Sequence, residues 1–196
     1  MLAAAVAVLA ASACAGAFRP AAPGVADRAA AAPAYSGSLR VSVSGRDLRG
    51  RSRALVAYRR PDGLRIEIPG PAGARLVAVA RAGRLTAVLP AERAFLERAA
   101  TPAGLEALIG VALAPAELMD VLAGARPAGA REYRADWGPV WPRRIEAVLA
   151  DGTRLRATVD EADAGAELRP AAFDPPPHPG YREVDADEAR RLLGGR

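Results

Sequence analysis

Hydrophobic and polar side chains alternate along most of the chain from Tyr35 onward. In residues 38–45, Leu39, Val41 and Val43 are separated by Ser and Arg, and this period of two predicts a strand with one buried face. Similar runs predict eight further strands, although residues 92–98 also fit the start of a helix. These runs cover residues 51–60, 64–68, 75–81, 84–90, 92–98, 131–137, 143–150 and 153–160.

Short turns join neighbouring runs, so we expect the strands to pair in an antiparallel manner. Pro61-Asp62-Gly63 places Pro where φ is restricted and Gly where φ can be positive. Asp151-Gly152 between two alternating runs is a strong hairpin signal. Residues 69–73 are rich in Pro and Gly and predict a further loop.

The hydrophobic period becomes helical between the two groups of strands. Thr101 and Pro102 fit an N-cap and a first-turn proline, and leucines follow at helical spacing. A second short helix is predicted from Pro115 to a stop at Gly124, and residues 185–188 fit a capping box on a last helix. We therefore predict an α+β fold, mainly antiparallel β. A long sheet must curl, so we expect an incomplete β-barrel (a half-barrel) with a lid of short helices.

Composition narrows the functional classes. The chain has 196 residues, a net charge of +5 and 27 basic residues, all of them Arg. Lys, Asn and Gln are absent. The absence of Lys and Asn, together with abundant Ala, Arg, Gly and Pro, is typical of GC-rich codon usage and weakens any functional meaning of the Arg excess. The arginines are dispersed and do not cluster with aromatic residues, so we predict no nucleic-acid binding.

No catalytic or metal-binding pattern is recognisable in the sequence. The single histidine, His178, lies in a proline-rich stretch and is predicted to be a solvated loop residue. Trp137 and Trp141 bracket Gly-Pro-Val and are predicted to anchor a bend between strands. We therefore predict that the protein is not an enzyme and uses no cofactor and no metal.

The N-terminus has the pattern of an exported protein. Residues 2–13 are small or apolar and would extend about 18 Å as a helix, less than the roughly 30 Å needed to span a bilayer. Residues 1–13 are therefore predicted to be a signal peptide. Residues 11–14, Ala-Ser-Ala-Cys, resemble the lipobox of bacterial lipoproteins, which makes Cys14 the predicted lipid attachment site. The alternative is a plain signal peptide, with Cys14 merely the first mature residue.

The segment after Cys14 is rich in Ala and Pro. We predict that residues 14–34 form the lipidated Cys and a tether, and that residues 35–196 form the folded domain. Ala15 follows the cysteine rather than Asp, a pattern that implies export to the outer membrane in enterobacterial lipoprotein sorting. The expected location is the periplasmic face of that membrane, through a lipid anchor.

Three stretches resemble the Lol-system lipoprotein carrier and receptor family. They are GRSRALVAYRRPDGLRIEIPGPAGARL (residues 50–76), GLEALIGVALAPAELMDVLAG (residues 104–124) and WPRRIEAVLADGTRLRATV (residues 141–159). The second is close to the paired lid helices of the outer-membrane receptor, which is itself a lipoprotein, whereas the soluble carrier is not. The resemblance extends from about Tyr35 to Phe173. It implies a half-barrel whose apolar cavity binds the acyl chains of lipoproteins without catalysis.

The resemblance also implies roles for particular residues. Arg60 corresponds to the arginine that holds the lid. Pro71, Ala72 and Gly73 correspond to a loop that contacts the membrane, but Ala72 stands where the receptor has a large apolar residue and offers little apolar area. Ten residues are predicted to line the acyl-binding cavity, unless they simply fill an ordinary core. They are Leu64, Ile66, Ile68, Leu85, Leu89, Leu105, Leu108, Ile109, Leu118 and Leu122.

Two functions fit these observations best, and a lipid- or envelope-sensing module is a third alternative. The first is an outer-membrane-anchored lipoprotein that binds the acyl chains of other lipoproteins and helps to localise them. Its expected partners are acylated lipoproteins, a soluble periplasmic lipoprotein carrier, and the membrane through its own lipid, and we expect a monomer. The alternative is a structural or assembly lipoprotein that uses the half-barrel as a protein-binding scaffold. A hollow interior favours the first function, and a packed interior favours the second.

Overall fold

One ten-stranded sheet forms the body of the protein. The computed structural model describes residues 18–45 and 49–194; the predicted signal peptide and Cys14 lie outside these residues. The strands are β1 Ala34–Ser44, β2 Arg49–Arg59, β3 Gly63–Gly70, β4 Gly73–Arg81, β5 Arg84–Leu89, β6 Ala94–Ala99, β7 Glu132–Trp137, β8 Pro142–Val148, β9 Arg154–Asp163 and β10 Arg182–Glu183. Their spatial order is β10-β6-β5-β4-β3-β2-β1-β9-β8-β7.

Within these described ranges nearly all neighbouring strands are antiparallel, and only the short β10 runs parallel to its neighbour, β6. Because β10 and β7 are both edges, the sheet is open, and it curls around the helices on its inner face. The described helices are α1 Val25–Ala31, α2 Pro102–Ile109, α3 Pro115–Leu122 and α4 Ala186–Leu192, with short 3-10 turns at Pro90–Glu92 and Pro170–Phe173. The predicted α+β half-barrel with a helical lid is confirmed.

Helix ends follow the local signals of the sequence. The Thr101 hydroxyl accepts a hydrogen bond from the Gly104 backbone N–H at 3.2 Å and caps α2. The Asp185 carboxylate accepts one from the Glu188 N–H at 2.7 Å and caps α4. The backbone of Gly104 also packs closely against the end of β6. A Cβ atom at this position would collide with the carbonyl oxygen of Ala99, so the close approach requires glycine. These caps set where each helix starts against the sheet.

Strand alternation gives the sheet two different faces. The inner face carries the main core with α2 and α3, and includes Leu39, Val56 and Leu76. The outer face is mostly polar, except where the segment around Phe173 crosses β4 and covers Val77 and Val79. The cavity described below therefore belongs to the inner face.

The predicted tether is wrong in its described part, residues 18–34. This segment forms α1, whose Val25 and Ala29 are 3 % and 2 % exposed, and Ala29 joins the main core. Before α1, the carbonyl of Arg19 accepts a hydrogen bond from the Trp137 N–H at 3.0 Å. Alanine favours helix, and its small side chain packs closely, so an Ala-rich segment can fold onto a core that low complexity alone does not reveal.

Two smaller expectations also change. The predicted loop 69–73 is shorter, because β3 continues to Gly70 beyond a register shift at Pro69 and only Pro71 and Ala72 form the turn. Residues 92–98 contain a strand rather than a helix start, since Ala94–Ala99 pairs with β5. Among residues 18–45 and 49–194, no helix is long and apolar enough to cross a membrane.

Candidate functional site

An apolar cavity of about 230 Å³ lies between the inner face of the sheet and the helices α2 and α3. Its walls come from β1 to β4, β8 and β9, from both helices, and from the segment between them. Aliphatic side chains supply most of its surface. The lining residues are Leu39, Val41, Val43, Gly50, Arg51, Ser52, Ala54, Val56, Ile66, Ile68, Arg75, Leu76, Leu108, Ile109, Val111, Leu118, Val121, Leu122, Ile145, Leu155, Ala157 and Leu193.

Six of the ten predicted cavity residues line this space, two from each of three elements. They are Ile66 and Ile68 of β3, Leu108 and Ile109 of α2, and Leu118 and Leu122 of α3. Alternation in the strand and helical spacing in the helices turn these side chains to one side. The sequence therefore identified both the sheet wall and the helical wall of the cavity.

The other four predicted residues are buried but do not line the cavity. Leu64, Leu85, Leu89 and Leu105 are at most 2 % exposed and belong to the packed part of the main core. At these four positions the side chains fill an ordinary core, which was the alternative to lining the cavity. Leu64 shares a strand face with Ile66, so periodicity gives both the same inward direction and cannot show where packing leaves a void.

The prediction missed the cavity wall formed by β1, β2, β8 and β9. Leu39, Val41 and Val43 had a visible signal, because their alternation already placed them on one face of a strand. Ile145 and Leu155 reach the cavity only because β9 returns to pair with β1, far from it in sequence. That pairing is a property of the tertiary fold.

Polar groups lie at one end of the cavity. Arg51 and Ser52, near the start of β2, line it together with Arg75 of β4. The Arg75 guanidinium donates to the carbonyl of Leu193 at 2.6 Å, immediately after α4. Leu193 itself lines the cavity, so this hydrogen bond holds the C-terminal end of α4 beside it.

Arg60 joins the end of β2 to α3. Its Nη2 atom lies 2.7 Å from Oδ1 of Asp120 on α3, and its guanidinium lies 5.6 Å from the centre of the Tyr58 ring. The Asp120 side chain is 49 % exposed, so this ion pair contributes little to global stability. Its geometric effect is to connect the second lid helix to the sheet.

Three stacked aromatic rings are packed into the main core near the first residues of β1. The Tyr35 ring lies 5.4 Å from that of Tyr58 and 4.7 Å from that of Trp141. Burial raises the pKa of Tyr35 above its ordinary value, and burial also raises the pKa of Tyr58, to about 12. Both tyrosines therefore stay neutral and act as core residues over the physiological pH range.

The remaining predicted residues lie away from the cavity. Pro71, Ala72 and Gly73 form the exposed tip of the β3–β4 hairpin. His178 is half-buried rather than fully solvated, because its ring packs 4.5 Å from that of Phe95. In the described part of the chain, no group of His, Cys, Asp and Glu side chains could hold a metal ion.

Comparisons with known proteins give weak similarities. No protein-family model and no curated protein matches this chain. A solved structure of an uncharacterized conserved protein from Thermus thermophilus is similar at a TM-score of 0.47 and 11 % identity, over 82 % of this chain and 96 % of that one. A LolA superfamily protein from Nitrosomonas europaea is similar at a TM-score of 0.47 and 10 % identity, over 80 % of this chain and 99 % of that one.

Proposed function

We propose that this protein is a non-catalytic, outer-membrane-anchored lipoprotein that faces the periplasm, binds the acyl chains of other lipoproteins and helps to localise them. The observation that supports this most is the aliphatic cavity under α2 and α3. A scaffold that binds other proteins through its surface does not need a hollow interior. The cavity therefore favours acyl-chain binding over the scaffold function.

The size and lining of the cavity suit a hydrocarbon chain. An acyl chain gains about 0.8 kcal/mol for each CH₂ group that it buries. Apolar cavities of about 150 Å³ accept a molecule of benzene, so a cavity of about 230 Å³ has room for a segment of an acyl chain. Binding a longer segment requires α2 and α3 to move outward. The contact between Arg60 and Asp120 lies where such a movement would break it.

The membrane anchor and the partners complete the proposal. Cys14 is the proposed site of lipid attachment, and acylated lipoproteins are the proposed cargo. A soluble periplasmic lipoprotein carrier would deliver that cargo to a monomer of this protein. The hairpin tip at Ala72 offers little apolar area, so insertion of this loop supplies little of the membrane affinity.

Filling the cavity tests this function directly. Ile109→Trp and Val41→Phe each add volume at a lining position that is only partly buried. Native mass spectrometry of the full chain carrying Cys14→Ser, mixed with a synthetic triacylated peptide, should show a complex. Each filling variant should bind the peptide at least about tenfold more weakly, because roughly two CH₂ groups lose their place. Their melting temperatures should remain close to that of the parent chain.

Val140→Trp is the matched control, because Val140 is 64 % exposed and lies outside the cavity. It should leave peptide binding unchanged. The proposal fails if the parent chain takes up no acylated peptide, or if the filled variants bind it as well as the parent does.

A further inference from the structure

The outer face of the sheet carries a concentration of arginines, of which only Arg51 also lines the cavity. We call it the arginine face. All its members are exposed, and they belong to three adjacent strands. They are Arg40 of β1, Arg49, Arg51 and Arg53 of β2, and Arg154 and Arg156 of β9.

The strand register brings these side chains together. Arg40 of β1 is directly opposite Arg53 of β2, and Ser42 has Arg51 on one side and Arg156 on the other. Ser44 likewise lies between Arg49 and Arg154. Neighbouring strands are about 4.8 Å apart, so six guanidinium groups share a surface about 10 Å wide and 13 Å long. The small side chains of Ser42 and Ser44 lie between them.

Acidic side chains offset only part of this charge. Asp160 lies 2.9 Å from Arg40, and Glu146 lies 3.7 Å from Arg156. Arg49, Arg51, Arg53 and Arg154 form no side-chain hydrogen bond or ion pair with any other residue among 18–45 and 49–194. Like charges opposite one another are unfavourable in a sheet. The surface therefore favours an extended anionic partner.

The start of the described chain lies on the same side of the sheet. The Phe18 ring is 4.8 Å from the Arg134 guanidinium and 4.3 Å from that of Arg144. Arg144 lies opposite Thr158 of β9, which lies opposite Arg40. Phe18 and the arginine face are thus only a few strand spacings apart, or about 15 Å.

A lipid at Cys14 would hold this side of the protein near a bilayer. Phe18 is four positions after Cys14, and a fully extended chain of that length spans at most about 14 Å. This step rests on the lipid attachment proposed above, whereas the arginine face itself does not. An exposed cationic surface beside a membrane anchor is complementary to a layer of anionic headgroups.

We propose that the arginine face docks on the anionic phospholipid headgroups of the membrane that carries the protein. Docking places β2 close to the bilayer, including Arg51 and Ser52, which lie at the polar end of the cavity. An acyl chain leaving that end would then be close to the membrane. In this proposal the arginine face orients the protein on the membrane, which a lipid anchor alone does not do.

Vesicle binding of the unlipidated chain tests the surface apart from the anchor. The full chain with Cys14→Ser is mixed with vesicles of phosphatidylcholine alone or with about one third phosphatidylglycerol, and the ratio of the two partition coefficients is measured. The N-terminal apolar segment carries no charged side chain and is the same in every variant, so it does not affect their comparison. Each basic residue near an anionic surface contributes about fivefold in affinity. The triple variant Arg49→Gln, Arg53→Gln, Arg154→Gln, which leaves the cavity-lining Arg51 in place, should therefore lower the ratio about 100-fold.

The matched control removes the same charge elsewhere. Arg98, Arg169 and Arg191 are exposed and lie outside the arginine face. Changing all three to Gln should lower the ratio less than about threefold, and salt should abolish the preference of the parent chain. An equal effect of both triple variants would overturn the proposal. So would a parent chain without preference for anionic vesicles, which is the result expected if an acidic protein is the partner.

The acylated-peptide assay separates this proposal from the proposed function. The arginine variants should take up the peptide as the parent does. A chain that binds anionic vesicles but no peptide would contradict acyl-chain binding and leave the docking surface intact.

Discussion

Tyr35 shows how a single buried hydroxyl affects the core. The phenol is fully buried, and its oxygen has no hydrogen-bond partner among the described residues. The Tyr35 hydroxyl fits beside residue 37 because this residue is glycine. A Cβ atom there would collide with the hydroxyl. An unpaired buried polar group is unfavourable, so the ring rather than the hydroxyl supplies the stabilisation at this position.

Tyr35→Phe should keep or raise the stability at neutral pH, by up to about 1 kcal/mol. It should also change how the free energy of unfolding depends on pH in the alkaline range. Burial is the main cause that raises the folded-state pKa of Tyr35, and the neighbouring Tyr58 adds to the shift. The stabilisation tied to the neutral phenol is therefore fully present below the unfolded pKa of about 10 and is lost as the pH rises above it.

Urea denaturation from about pH 8 to about pH 11.5 measures this effect across the unfolded pKa of tyrosine. The midpoint of the parent chain should fall more steeply above about pH 10 than that of Tyr35→Phe. Parallel curves would mean that the Tyr35 hydroxyl is solvated in the folded protein.

At the scale of elements, α3 depends on both its apolar face and one ion pair. Leu118 and Leu122 turn toward the cavity, while Asp120 reaches Arg60 at the end of β2. A helix of eight residues is marginal by itself and relies on tertiary contacts. The contact between Arg60 and Asp120 therefore affects the local opening of α3 more than global unfolding.

Asp120→Asn removes the charge of this contact and preserves its shape. Amide hydrogen exchange across Pro115–Leu122 should become about two- to fivefold faster, while the global stability falls by less than about 1 kcal/mol. Asp187→Asn is a suitable control, because Asp187 forms an exposed ion pair with Arg190 within α4. Faster exchange in α3 for both variants would show that the effect is not specific to the lid.

Some elements were recognisable from local sequence patterns, and others were not. The capping residues Thr101 and Asp185 were recognisable because a cap acts within one helical turn. The strand β10 was not predicted, since two residues carry no period, and only parallel pairing with β6 identifies it. Helix α1 was hidden by Ala and Pro composition that is also typical of a linker.

For the whole molecule, α1 and the residues before it belong to the folded unit. Val25, Ala29 and Ala32 are buried, and the backbone of Arg19 bonds to the last residues of β7. A chain that starts at residue 34 would expose the core surface that α1 covers. Burying even one valine contributes about 1.5 kcal/mol or more.

Two truncated chains test whether the segment that contains α1 is a tether or part of the folded unit. A chain starting at Phe18 should unfold at nearly the same urea concentration as the full chain. A chain starting at Ala34 should lose at least about 2 kcal/mol of unfolding free energy. Equal midpoints for the two truncations would support a simple tether.

The sequence by itself determined the order of nine strands, the two lid helices and the last helix, and the direction of most of their side chains. Alternation, helical spacing and caps are local, because each depends on residues a few positions apart. They predicted the inner face of β3, the two lid helices and the hairpin at Asp151-Gly152. Six of the ten predicted residues therefore line the cavity.

Only the tertiary structure decided which inward side chains surround a void and which fill the core. Ile66 and Leu64 have the same sequence pattern, yet one lines the cavity and the other is packed. The same holds for the arginine face, which forms because β9 pairs with β1 beside β2. Packing density and cross-strand neighbours depend on contacts between distant parts of the chain, and no local period encodes them.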